Sequence, residues 1–116
     1  MMVTFLAAAA LQVVMTADGP HPRASLGALI SKDDYPAALL GTGAHGRTMV
    51  RLDVAPNGRV SRCSITQSSG TALLDAATCR LLSSRSRFTP AHDSNGMPVA
   101  GAYVGAIDWP APVRAR

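Results

Sequence analysis

The stretch from Thr48 to Gln67 limits the fold more than any other part of the chain. Val50, Leu52 and Val54 alternate with Met49, Arg51 and Asp53, the period of a half-buried strand. Pro56-Asn57-Gly58 follows, and Asn and Gly tolerate the positive φ that tight connections need. A second strand from Arg59 to about Gln67 is therefore expected to fold back antiparallel to the first. Its inward set is Cys63 and Ile65, and Val60 falls in the other parity, which predicts a bulge just after the turn.

Helical signals flank this hairpin. Asp33-Asp34-Tyr35-Pro36 opens a short helix, with Asp34 as a cap and the proline in a first turn where no internal hydrogen bond is lost. Ala37 to Leu40 continues it, and Gly41, Gly43 and Gly46 supply the backbone on which it ends. After the second strand, any hydroxyl of Ser68-Ser69-Gly70-Thr71 can cap a helix from about Ala72 to Ser84. There Leu74, Ala77, Thr78, Leu81 and Leu82 recur at three- and four-residue steps, so one stripe faces the sheet, and Asp75 suits the positive N-terminal end. Phe88-Thr89-Pro90-Ala91 closes that unit, and Asp93 to Pro98 reads as a polar loop. Ala102 to Trp109 is extended: Ala102, Val104 and Ala106 share one parity, Tyr103, Gly105, Ile107 and Trp109 the other, and Pro110 and Pro112 stop it.

At 116 residues, one domain is the expectation, and 47% hydrophobic with 16% charged residues is a globular balance. The formal charge of +4 suits an anionic partner, but the arginines are scattered and few aromatics interleave with them, so nucleic-acid binding is not expected. From Met1 to Ala17 the chain is apolar with no charged side chain, a signal-like or membrane-anchor segment that lacks a basic start. Asp18 to Arg23 carries Pro and Gly breakers and reads as a linker. The division is thus residues 1–24 for leader and linker, and residues 25–116 for the domain. Export follows from this leader, with the chain either membrane-anchored or soluble after cleavage.

Tyr35-Pro36, the glycine-spaced entry to the first strand, and Val54-x-Pro56-Asn57-Gly58-Arg59-Val60 are followed by Ser68-Ser69-Gly70 with Leu74-Asp75. Arg87-Phe88-Thr89-Pro90-Ala91 and Gly96-Met97-Pro98-Val99 complete the series. In that order and spacing, over roughly Ile30 to Trp109, the chain resembles the C-terminal domain of TonB family energy transducers. The resemblance implies an α+β fold in which a three-stranded antiparallel sheet packs against two helices, in the order α-β-β-α-β. It implies a non-enzymatic domain that contacts outer-membrane transporters from the periplasmic side and passes on work from a proton-driven inner-membrane motor. For the exported chain it implies the periplasm as the place, and the inner membrane for an anchor. It also implies that a transporter peptide segment pairs with the last strand. The residues that would receive it are Ala102, Tyr103, Val104, Gly105, Ala106, Ile107, Asp108 and Trp109. Physically this is strand addition, in which an edge strand's unpaired amides and carbonyls are met by main-chain bonds. The same edge could join two copies into a homodimer. The long proline-rich spacer and motor-contacting histidine of full-length members have no counterpart here, so an accessory member that binds a partner without energising transport is also expected.

Cys63 and Cys79 enclose a loop of about fifteen residues, and in an exported chain an even count favours a disulfide worth about 3 kcal/mol by chain-entropy reasoning. Cys79 lies well round the helix from the Leu74, Thr78 and Leu81 stripe, so the bridge needs the helix to present its flank; two free buried thiols are the alternative. No metal or cofactor pattern is expected, since the cysteines lack the close spacing of zinc sites and His21, His45 and His92 are isolated. A small secreted hydrolase is the rival reading. It rests on Ser68, Ser69, Asp33-Asp34 and His92-Asp93, none of which comes with the base, orienting group and oxyanion donors a catalytic site needs.

Overall fold

A computed structural model of the protein describes residues 19–110, so the leader expected over Met1 to Ala17 and the strand stop at Pro112 lie outside the described residues. Alternation and turn chemistry produce the expected hairpin. β1 is a two-residue strand, His21–Pro22, followed by 3-10 turns at Leu26–Leu29, Lys32–Asp34 and Ala37–Leu39. β2 then spans Gly46–Val54, β3 Val60–Gln67 and α1 Ala72–Arg85. After these come β4 (Phe88–Thr89), β5 (Ala91–His92), β6 (Pro98–Val99) and β7 (Gly101–Trp109).

The main sheet is antiparallel with strand order β3-β2-β7. Opposite the pairs Asp53↔Arg62 and Val54↔Val60, β3 carries Ser61 as an extra residue, which is the bulge that the parity of Val60 predicts. A second irregularity lies between Met49↔Gln67 and Val50↔Ile65, where Thr66 is the extra residue. The turn depends on Gly58. Its φ is +84°, and a Cβ there would collide with the carbonyl oxygen of Phe88, whose amide donates to Gly58 O at 2.9 Å. Β-strand β4 is thereby fastened to the hairpin tip.

The expected first α-helix does not form; α1 is the only α-helix among the described residues. The chain from Lys32 to Leu39 makes two 3-10 turns, separated by Tyr35 and Pro36 in extended conformation. A proline disfavours helical geometry in the residue before it, and Tyr35 accordingly sits at φ −60°, ψ 130°. The cap is also one turn earlier than expected. The Ser31 side chain accepts from the Asp33 amide, and Asp34 reaches back to the Ser31 amide at 2.9 Å, as in a capping box.

α1 buries Leu74, Ala77, Thr78, Leu81 and Leu82, the stripe that its periodicity predicts. These close over Val50, Leu52 and Val54 with Phe88, Ile107 and Trp109, forming one core. Side chains as fully enclosed as Leu74 and Leu82 each contribute on the order of 2 kcal/mol by leaving water. Ile65, expected to face inward with Cys63, is still 39% exposed on the outer strand, because the helix covers the sheet nearer Cys63.

Candidate partner-binding edge

β7 pairs with β2 without a register shift over nine residues, from Gly46↔Trp109 to Val54↔Gly101. Its other side has no strand neighbour among the described residues. The free edge thus belongs to the segment singled out in the sequence, and all of Ala102, Tyr103, Val104, Gly105, Ala106, Ile107, Asp108 and Trp109 lie within it. Tyr103, Gly105, Ile107 and Trp109 occupy the covered face, while Ala102, Val104 and Asp108 are exposed, Val104 to 61%.

The covered face is what holds the strand flat. At its C-terminal end the Trp109 ring is buried, and its Nε1 donates to Thr78 Oγ1 at 2.7 Å. Thr78 Oγ1 in turn donates to Leu74 O at 2.8 Å, so the indole is tied to the helix backbone. Tyr35 meets Trp109 edge-on with ring centroids 6.3 Å apart and donates its hydroxyl to Ala44 O at 2.7 Å. Further along, Tyr103 meets Phe88 edge-on at 5.4 Å. The Arg47–Asp108 pair on the open face, 3.8 Å apart and well exposed, adds little to this.

Asp75 organises the loop that carries the chain from β3 into α1. It accepts from Thr48 Oγ1 at 3.0 Å, from the Ser69 amide at 2.9 Å and from the Ser68 hydroxyl. Desolvation opposes its charge, but these donors from Ser68, Ser69 and Thr48 outweigh it and hold the carboxyl below its ordinary range. Ser68 and Ser69, the hydroxyls of the hydrolase reading, are thus committed to Asp75 and to the backbone of Gly70 and Thr71. Asp34 accepts two bonds from the Arg85 guanidinium, at 2.8 and 2.9 Å, and with the Ser31 amide this lowers its carboxyl to about 2. Asp93 closes a turn by accepting from the amides of Asn95 and Met97, while His92 pairs with Pro98 in the ladder between β5 and β6. The structure does not bring these groups together around a common point.

Cys63 and Cys79 are joined, with Cα atoms 5.6 Å apart, so α1 does present its flank to β3. Two contributors escaped the sequence reading. The periodicity places Thr78 in an apolar stripe, although its hydroxyl serves the tryptophan; nothing in the spacing marks that pair, 31 residues apart. The Ser31-Lys32-Asp33-Asp34 capping signature, by contrast, is visible in the chain and would have placed the cap correctly. No helix among the described residues is long and apolar enough to cross a membrane. Compared with the curated proteins, the chain matches none. The family model described as the Gram-negative bacterial TonB protein C-terminal matches residues 31–110.

Proposed function

The chain belongs to the TonB C-terminal family, and on that premise we propose that it is a periplasmic binding domain whose β7 receives an extended segment of an outer-membrane transporter by strand addition. Domains of this family act in energy transduction and interact with outer-membrane transporters. The observation that carries the finer reading is the uninterrupted edge of β7, paired among the described residues on one side only. Main-chain bonds along such an edge give affinity with little dependence on the partner's side chains, and the exposed Ala102 and Val104 leave room beside them. The Cys63–Cys79 bond fits an oxidising compartment such as the periplasm.

Synthetic peptides carrying the periplasm-facing N-terminal segment of the same bacterium's outer-membrane transporters provide the test. The native chain should bind at least one of them, and Val104→Pro should abolish binding by removing a backbone donor and breaking the strand. Near-ultraviolet circular dichroism of the variant separates loss of the edge from loss of the fold. Undiminished binding by a folded Val104→Pro protein would remove β7 from the mechanism.

A further inference from the structure

We propose that residues 19–30, ahead of the segment that the family model matches, form a strap that keeps β7 in its partner-accepting conformation, with Leu26 as the positioning residue. This rests on the reading of β7 as the accepting edge.

The strap is fastened at both ends. His21 and Pro22, in the stretch whose composition suggests a linker, pair with Thr89 and Phe88, and the Arg23 amide donates to Arg87 O at 2.9 Å. At the far end Leu29 O accepts from Arg85 Nη1 at 2.7 Å, and the same guanidinium holds Asp34. Between these anchors Pro20 is buried and Leu26 is only 7% exposed, a member of the core.

Two glycines of β7 are shaped to the strap. A Cβ on Gly105 would come within 2.6 Å of Leu26 Cδ1, and one on Gly101 within 3.0 Å of Pro20 Cδ. Neither glycine has a positive φ, so backbone conformation does not require them. Space does. Glycine inside a strand weakens it and often marks where another group must come close. At Gly105 that group is the strap, and at Gly101 the strap together with Ala91, whose Cβ lies 3.1 Å from the same position, while α1 lies mainly over β3 and β2. A strand bonded along one edge only, with two glycines, is held straight by what packs on its face. Removing that packing raises the ordering cost an incoming segment must meet.

Hydrogen exchange on the full chain, with Leu26→Ala, Gly105→Ala and the double variant, tests this. Each single change should speed exchange of those Tyr103 to Ile107 amides that bond to β2 about tenfold, while the β3 amides that bond to β2 keep their protection. In the double variant the added methyl occupies the space the leucine vacated, so the two effects should combine to much less than their product. Leu26→Val serves as the milder truncation should Leu26→Ala fail to fold, and Leu26→Met should keep native protection. Unchanged β7 exchange in the folded single variants, or effects that simply multiply, would overturn the strap. Binding of the transporter peptides is read in parallel. Equal affinity for native and Leu26→Ala proteins would overturn the positioning role, whereas absence of binding by the native chain, with the exchange pattern as expected, would sink the edge reading and leave the strap standing.

Discussion

Asp75 concentrates more of the local energetics than its place on a helix surface suggests, because it serves donors from β2, from the preceding loop and from that loop's backbone. Asp75→Ala leaves the buried Thr48 hydroxyl without its acceptor, and hydrogen bonds to a charged group are each worth about 1.5–3 kcal/mol. We expect a loss of about 2–3 kcal/mol in urea unfolding, with Asp75→Asn costing less because an oxygen remains. Thr78→Val keeps shape but orphans the buried Trp109 N–H, for an expected cost of about 1–3 kcal/mol. Trp109 is the chain's one tryptophan, so its fluorescence reports the transition directly. Acid acts on the same groups. The Asp34 carboxyl titrates at about 2 when folded against an ordinary 3.8, so protonation favours the unfolded chain; the stability it lends is in place above about pH 4 and is lost as pH falls toward 2. Asp75, also lowered, adds in the same direction. Denaturation midpoints measured between pH 5 and 2 should fall, and Asp34→Asn should flatten that limb. Asp75 and Thr78 show where sequence reading stops. The aspartate's position at a helix start is visible, whereas its donors come from β2 and from the loop, which only the assembled fold brings together.

The three strands of the main sheet and α1 are readable because their apolar periods have to match a single core, and the bulge after Gly58 because Val60 breaks parity; β1, β4, β5 and β6, two residues each, are too short to show a period. The segment before β2 departs from the expected helix for a reason that is local. Pro36 suits a helix start in its own right, but it also forces Tyr35 out of helical geometry, and with Gly41 at φ +84° too few residues remain to propagate an α-helix. Tertiary packing settles the outcome, because Tyr35 is buried against Trp109 only when the chain is bent there. The disulfide joins β3 to α1. Sixteen residues separate its cysteines, so reduction should lower stability by about 3 kcal/mol, through greater freedom of the unfolded chain. Urea midpoints with and without reductant measure this, and a Cys63→Ser, Cys79→Ser double variant should match the reduced protein and no longer respond to reductant.

The sheet has two borders, and they differ in kind. β3 carries extra residues at Ser61 and Thr66, near its two ends, so its outward backbone groups do not form an even row. Bulges of this sort twist an edge away from pairing and are a common protection against adventitious strand addition. β7 has no such interruption across nine paired residues and no proline between Gly101 and Trp109. Its inner face is closed by Trp109, Ile107 and Leu26, so the strand is braced while no described residue pairs with its rim. An added strand therefore meets an even row of main-chain partners on one border and a broken row on the other. The difference predicts where a bound peptide lies. A photoreactive side chain in place of Val104 should cross-link bound transporter peptide efficiently, and the same group in place of Thr66 should not. Both positions are exposed, so accessibility alone would label them alike; equal labelling would mean that the peptide does not choose between the borders, and the case for β7 drawn from their unequal geometry would fail.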